Sequence, residues 1–434
     1  MPVPIVCLDA RLRQFALTFR RCFNRPQMQY FVIVLLGLML CQEHRTLTGL
    51  QRQVAEQTSL SGLSRFFSDA PWSAESVAET WLAYFRTQLE PLVEAERQRQ
   101  RQRRPKKRGR PTPPIVTGYL IGDDSTQHKR TGRQMAGLGR HHSTTEGKRV
   151  VGHSLVQGLY VLLGRRCPLA PQLYRQRTTA EAEGVTFQSK IDLMEALILS
   201  FEPVVGTQTH VLLDSWYAAK RLWQAARQRG FLITTGLKVN RALRIDDPTT
   251  AQGWRWQKLS DYAASLKAED YSVQTWPSQT EPRTVHVHTL QTRVRKLYRC
   301  QIIIVRESLD APLSEARYFA SSDLAADRAQ LVAHLAARWD VETLFADTKE
   351  ELGLDQYQLM SATAIVRFWT LVMAAYVFLD EERARLREER QCHVTIGEAR
   401  REVQRHHRRR LIDWLSHQLA AGGARDALYR RLAA

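Results

Sequence analysis

Three acidic residues occupy positions from which they could build a metal-dependent site. Asp124 ends the run "PIVTGYLIGDD", Asp214 ends "VLLD", and Glu342 lies in the helical pattern "RWDVETLFADTKEELGLDQY". Side chains at strand ends of an α/β sheet leave the core but stay rigidly placed. If the first and fourth strands are neighbours, the two aspartates lie about 5 Å apart and repel unless a cation separates them. The trio therefore predicts a site for Mg²⁺ (or Mn²⁺), with two ions acting on a phosphodiester.

The neighbouring Asp123 complicates the first position. Successive strand residues face opposite ways, so one of Asp123 and Asp124 points into the site, and alternation alone does not say which. Each acid taken separately is more often a strand-end cap or a helix N-cap than a metal ligand, and Asp214 could cap a helix that begins near Trp216. The metal prediction therefore depends on Asp124, Asp214 and Glu342 together.

Two cations accompany the third acid. Arg338 precedes Glu342 by four residues and Lys349 follows it by seven, so a continuous helix would place all three on one stripe. An acid between two cations suits a metal-bound carboxylate beside a phosphate backbone. A solvated face of salt bridges is the alternative explanation of the same spacing.

The elements that would position these acids can be read from the pattern of apolar residues. Residues 115–240 predict the order β-β-β-α-β-α-β, a mixed sheet with flanking helices. Residues 241–320 predict a β-rich insertion. Residues 321–380 return to the core with the helix of Glu342, and 381–434 form a C-terminal helical region. Residues 1–96 predict helices, with 97–114 as a basic, Pro- and Arg-rich extended linker.

The net charge of the chain points to a polyanionic partner. The 434 residues carry 63 Lys and Arg against 44 Asp and Glu, a formal charge of +19, which favours nucleic acid. The apolar run at 31–40 is too short to cross a bilayer, and the N-terminus lacks the features of a signal peptide. The six scattered cysteines include no CxxC pair. We therefore expect a cytoplasmic protein that acts on DNA and does not associate with a membrane.

Two N-terminal features could contact DNA. The stretch "TLTGLQRQVAEQTSLSGLSRFFSDAPW" resembles a helix-turn-helix with Arg65 on the recognition helix, although an ordinary helical bundle fits equally well. "KRGRP" at 107–111 resembles an AT-hook, in which Arg108 and Arg110 would enter the minor groove of A·T-rich DNA. Non-specific attraction to phosphates explains this segment as well.

Three motifs together carry a family resemblance. "IGDDST", "VLLDSWYAAK" followed by "GLKVNR", and "RWDVETLFADTKEELGLDQY" resemble the DDE transposases of bacterial insertion sequences over residues 115–380. The match is to the branch with a Tyr-Arg-Glu-Lys signature and an RNase H-like core interrupted by a β-rich insertion. The resemblance implies catalytic, metal-binding Asp124 (favoured over Asp123), Asp214 and Glu342, and it aligns Arg338 and Lys349 with the signature. Leu335 stands where the signature has Tyr.

The resemblance also implies a function. Such an enzyme cleaves double-stranded DNA at transposon ends, transfers the freed 3′-hydroxyl to a target in a cut-and-paste reaction, and acts as a homodimer on DNA. Lys238, Arg241, Arg338 and Lys349 are then expected to contact the DNA backbone. A nuclease that does not join strands, and a non-catalytic DNA-binding protein derived from a transposase, are the alternatives.

Two further sets of residues could form sites. The insertion contains Trp254, Trp256 and Trp276, of which one could stack on a flipped base, while at least two are expected to be buried. His128, His141 and His142 could suggest a second metal site, but we expect them on solvated or DNA-facing surfaces.

Overall fold

The computed structural model describes residues 9–52, 59–103, 115–132, 134–143, 146–277 and 281–428. Most of the predicted linker, including Arg108 and Arg110 of the AT-hook-like segment, lies outside the described residues. The described part is a large mixed sheet covered by helices, which confirms the predicted fold class.

The strands are β1 (Val116–His128), β2 (Gly139–Ser143), β3 (Lys148–Leu162), β4 (Arg165–Pro168), β5 (Gln172–Tyr174), β6 (Thr207–Leu213), β7 (Leu232–Gly236), β8 (Ala242–Asp246), β9 (Trp254–Lys258), β10 (Ser272–Trp276), β11 (Arg283–Arg293), β12 (Arg299–Arg306) and β13 (Arg317–Ser321). The α-helices are α1 (Ala10–Thr18), α2 (Arg25–Leu40), α3 (Leu47–Gln51), α4 (Leu60–Ser68), α5 (Ala74–Arg103), α6 (Arg177–Ala182), α7 (Lys190–Ser200), α8 (Lys220–Gln228), α9 (Leu259–Ser265), α10 (Arg328–Ala337), α11 (Asp340–Leu352), α12 (Ala362–Arg390) and α13 (Ile396–Ala420).

The main sheet runs in the order β10-β11-β12-β13-β7-β6-β1-β3-β2. Its centre is parallel, because β1 pairs with β6 and β6 with β7 in the same direction. The long β3 runs antiparallel to β1. The first and fourth predicted strands, β1 and β6, are therefore neighbours, as the metal prediction required.

The predicted insertion is not a separate β body. Its last strand pairs antiparallel with β7, with Phe319 opposite Gly236, so β10 to β13 extend the main sheet. Helix α10 covers this extension through a small apolar cluster that includes Val287 and Leu331. Of the strands in 241–320, β8 and β9 form a two-stranded sheet of their own.

The first strand is longer than the sequence suggested, because β3 pairs with it as far as His128 opposite Gly152. Its pairing with β6 ends at Gly122 opposite Leu213. The prediction that Asp124 closes the strand was therefore wrong: the acids lie inside β1, where its parallel neighbour stops.

Helix α12 is the centre of the helical layer. It is long and apolar enough to cross a membrane, but 83% of its apolar 18-residue stretch is buried inside the protein. The sequence predicts helices in this region, but 31–40 is its longest uninterrupted apolar run, because a threonine and an arginine interrupt the apolar residues of α12. The predicted boundary at 380/381 also falls inside α12.

The N-terminal helices share a core with the rest of the protein. Buried residues of α1 to α5 belong to the same apolar cluster as α12 and the central strands. Arg367 of α12 donates hydrogen bonds to the carbonyls of Phe67, Ala70 and Trp72, which fixes the turn after α4. Helix α5 continues to Arg103, so the first residues of the predicted linker are helical. Of the predicted helix-turn-helix, residues 53–58 lie outside the described residues. Short helices α3 and α4 lie before and after them, and Arg65 is exposed on α4.

Candidate metal and phosphate site

Asp123 and Asp124 point to opposite faces of the sheet. A side chain at Gly122 would meet Met194 of α7, with 2.4 Å between its Cβ and the sulfur. Gly122 therefore faces α7, and so does Asp124, two residues along the strand. Asp123 faces the other side of the sheet. The sequence could not say which acid faces which side of the sheet. The contact of Gly122 with Met194 assigns Asp124 to the α7 face and Asp123 to the opposite face.

Asp214 lies beside Asp123. The parallel pairing of β1 with β6 ends at Gly122 opposite Leu213, and Asp123 and Asp214 are the next residues. The two acids are therefore at the same level of adjacent strands, whose backbones are about 5 Å apart. Asp214 Oδ1 accepts hydrogen bonds from the backbone N–H groups of Trp216 (2.9 Å) and Tyr217 (3.2 Å). These bonds orient the carboxylate, and α8 begins only at Lys220. The alternative that Asp214 caps a helix therefore fails, although the residue does cap a turn.

Asp123 and Asp214 are each harder to ionise than a free aspartic acid. Burial raises the pKa of Asp123 to about 7, and the charge of Asp214 adds to the effect. Burial also raises the pKa of Asp214, with the charge of Asp124 adding and the two backbone hydrogen bonds opposing. Arg338 lowers the pKa of both carboxyls. A nearby cation is thus what this pair of acids requires.

Glu342 approaches the same place through Arg338. The Arg338 guanidinium donates to Glu342 Oε1 at 2.8 Å. The predicted continuous stripe is wrong, because α10 ends at Ala337 and α11 begins at Asp340. Glu342 therefore lies in the first turn of α11, where the helix dipole favours an acid. Arg338 lies at the break between the helices, and its charge acts on all three carboxylates.

Asp124 has partners of its own on the other face. Its Oδ2 forms a 2.5 Å ion pair with Lys190 Nζ, and its Oδ1 accepts a 3.1 Å hydrogen bond from the Tyr217 hydroxyl. The choice of Asp124 as the first catalytic acid came from the family resemblance and stays a prediction. The contacts favour Asp123, because Asp123 is the acid that shares Arg338 with Asp214.

A cavity of about 660 Å³ opens beside Asp214. Lys238, Arg317 and Arg338 contribute positive charge to its wall. Gly236 also lines it, and a Cβ there would lie 2.7 Å from the backbone nitrogen of Ser215. Glycine is therefore required for the end of β7 to approach the segment that carries Asp214.

The other predicted DNA contacts lie differently. Arg241 donates to the carbonyl of Ala218 at 2.6 Å and so braces the turn after Asp214. Lys349 does not line the cavity; burial lowers its pKa, with Asp355 opposing. Arg317 was missed by the sequence analysis, because only the pairing of β13 with β7 brings it here.

Exposed tryptophans were also missed. Trp216 is 52% exposed and Trp339 is 58% exposed, each within two residues of a site residue. Among the insertion tryptophans, Trp276 is buried, whereas Trp254 is half-buried and Trp256 is exposed. The expectation that at least two are buried was wrong, because β8 and β9 form a hairpin beside the main sheet.

The histidines do not follow the prediction as a group. His142 is exposed, but His141 is buried beside Tyr174. His128 forms a 2.5 Å hydrogen bond with Glu146.

The donor set of Asp123, Asp214 and Glu342 fits a divalent cation. All three are carboxylates, the hard oxygen ligands that Mg²⁺ and Mn²⁺ prefer, and they surround a guanidinium that only partly neutralises them. In the described part of the chain, the carboxylate oxygens of these three residues do not all lie within 4.8 Å of one another. Glu342 must therefore exchange Arg338 for the cation if the three are to share it.

Comparison with known proteins identifies the family to which the chain belongs. Residues 18–298 match the sequence model of the family described as DDE superfamily endonuclease. A structure of the piggyBac transposase synaptic complex with hairpin DNA aligns with a TM-score of 0.45 and 10% identity, covering 98% of this chain and 80% of that chain. No curated protein matches the chain. The family match includes Asp123, Asp124 and Asp214 but stops before Glu342. Because it spans more than half of the sequence, the chain belongs to the DDE superfamily endonucleases.

Proposed function

We propose that this endonuclease is a DNA transposase that cuts at the ends of a mobile element and joins the freed 3′-hydroxyl to target DNA. The observation that carries the proposal is the placement of Asp123 and Asp214 at one level of adjacent parallel strands, with Arg338 and Glu342 beside them. Cutting and joining are both phosphoryl transfers. For such reactions the protein mainly positions the phosphate and neutralises charge.

The proposed ligands are Asp123, Asp214 and Glu342, holding two Mg²⁺ or Mn²⁺ ions. When bound, such a pair stabilises the attacking and leaving oxygens of a phosphodiester displacement. If Glu342 held a cation in place of Arg338, the Arg338 guanidinium would be free to bind a phosphate. Its planar fork of donors matches a phosphate bidentately.

The cavity beside Asp214 is the proposed path of the DNA backbone. Lys238 is exposed there, and Arg317 and Arg338 line the same wall. The exposed rings of Trp216 and Trp339 offer faces on which an unpaired base could stack. Basic groups around these half-buried acids also weigh against the non-catalytic alternative, because a protein that only binds DNA gains nothing from carboxylates that repel the backbone.

An assay of cutting and joining separates the candidate functions. We suggest a plasmid that carries the gene with its flanking genomic DNA, incubated with the full chain and Mg²⁺. Joined product supports a transposase, cleavage alone supports a nuclease, and binding alone supports the non-catalytic protein. Two ends of the mobile element held in one protein complex would support the proposed homodimer.

Substitutions in the acids connect the assay to the structure. Asp214→Asn and Glu342→Gln are expected to abolish both cutting and joining while leaving binding to the flanking DNA largely intact. Asp261→Asn, an exposed acid of α9, is the matched control. Full activity of either site variant would reject that residue's assignment.

A further inference from the structure

A second group of possible metal ligands lies away from the three acids. His210, Asp323 and His334 each offer a ligand atom, and these atoms lie within 4.8 Å of one another. The imidazole ring centroids are 4.3 Å apart. His210 is fully buried, His334 is 9% exposed and Asp323 is half-buried. Two imidazoles and one carboxylate are a ligand set for a transition metal of the Zn²⁺ type rather than for Mg²⁺.

Hydrogen bonds leave a lone pair of His210 free for a ligand. The Thr234 hydroxyl donates to Ser321 Oγ at 2.8 Å, so its oxygen accepts from His210 Nε2, also at 2.8 Å. The proton is thereby placed on Nε2. Nδ1 of His210 is buried and has no hydrogen-bond partner among the described residues. An unpartnered polar atom at this depth is costly unless something binds it.

The other two ligands are oriented in the same manner. Asp323 Oδ1 accepts from the backbone N–H groups of Ala325 (3.1 Å) and Ala326 (3.0 Å), which fixes the carboxylate. His334 Nδ1 lies 3.0 Å from the Tyr119 hydroxyl, leaving Nε2 for an ion. Metal-binding histidines commonly hold their second ring nitrogen in this way.

We propose that His210, Asp323 and His334 form a structural site for a divalent transition metal, Zn²⁺ or a similar ion, with one position left for water. The ion joins β6 and the segment after β13 to α10, while Tyr119 adds β1. His210 and Asp214 are four residues apart on one strand, about 13 Å, so this site is distinct from the acids. His334 precedes Arg338 by one helical turn, about 6 Å. The ion therefore fixes the helix end that places Arg338 and Glu342.

Co²⁺ titration of the full chain tests the site without any assay of DNA activity. The chain carries Asp214→Asn, so that binding at the acids does not contribute, and it is stripped of metal before titration. We expect about one tightly bound Co²⁺ with visible absorption, and a rise in Tm with Zn²⁺. The absence of both in this parent chain would overturn the proposal.

Variants assign the ligands. Asp323→Asn retains the oxygen that accepts the backbone hydrogen bonds. Asp323→Asn and His334→Gln, each made separately, are expected to abolish the Co²⁺ band. Tyr119→Phe should weaken binding by about 10- to 100-fold. Asp327→Asn is the matched control, because asparagine can also cap α10. An unchanged Co²⁺ spectrum in both Asp323→Asn and His334→Gln would refute the site.

Discussion

Exchanging Asp123 or Asp124 for asparagine should change stability in opposite directions. Asp123 and Asp214 lie on adjacent strands about 5 Å apart, and two like charges at that spacing repel by about 3 kcal/mol at an effective dielectric constant near 20. Arg338 and the hydrogen bond from the Asp124 backbone to Asp123 offset part of this repulsion. In metal-free protein at pH 8, Asp123→Asn should therefore raise the free energy of unfolding by about 1–2 kcal/mol.

Asp124→Asn should instead destabilise the protein. Lys190 and Asp124 are only 16% and 20% exposed in their side chains, so the substitution leaves a mostly buried ammonium without its counter-ion. We expect a loss of about 1–3 kcal/mol, below the range for a fully buried pair because solvent still reaches both groups. Urea denaturation of the two variants measures both effects.

Metal binding separates the same two variants. Mn²⁺ should raise the Tm of the natural chain and of Asp124→Asn, but not that of Asp123→Asn, which loses a ligand. Metal-dependent DNA cleavage should follow the same division. If Asp124→Asn loses the Mn²⁺ response and cleavage while Asp123→Asn keeps both, the reasoning from strand alternation is refuted and the choice made from the family resemblance is restored.

Three other substitutions test separate parts of the account. Gly236→Ala should reduce the rate of cleavage at least tenfold with little loss of DNA binding, because the Cβ of the alanine would push against Ser215. Cleavage rates at saturating and at limiting DNA distinguish a loss of turnover from a loss of binding. Lys238→Ala should weaken DNA binding and lower the slope of log K against log salt by about 1, as fluorescence anisotropy can show. Asp380→Asn should cost about 3–5 kcal/mol of stability, because it leaves Arg165 without its fully buried partner; chemical denaturation measures this.

Each of these predictions has a control or a contradicting result. Lys267→Ala removes an exposed lysine far along the insertion and should leave the salt slope unchanged. A Gly236→Ala enzyme with normal turnover would show that the approach of β7 to Ser215 is not required. Asp380 pairs with both Arg165 and Arg383. If Asp380→Asn unfolds at the same denaturant concentration as the natural chain, these ion pairs add no net stability.

The sequence predicted the central sheet because its strands are apolar runs bounded by turns and acids. It missed β2, "GRHHS", because that strand is polar and exists through pairing with β3. The place of β10 to β13 could not be predicted either. Their pairing with β7 joins segments that are far apart in the chain, and no local pattern encodes it.

The site was predicted in part for similar reasons. The three acidic segments could be found because each combines an acid with a strand or helix pattern. The choice between Asp123 and Asp124 depends on which face of β1 meets α7, which is a tertiary contact. The break between α10 and α11 has no Pro or Gly to mark it, so the stripe through Arg338 was drawn on a helix that is not continuous.

Crystals of the full chain soaked in Mn²⁺ would test the central claim most directly. An anomalous difference map should show a peak whose nearest ligands, at about 2.1 Å, include carboxylate oxygens of Asp123 and Asp214, with Glu342 turned away from Arg338 toward it. A peak held by Asp124 on the α7 face, or none near Asp214 at saturating Mn²⁺, would contradict the proposed site.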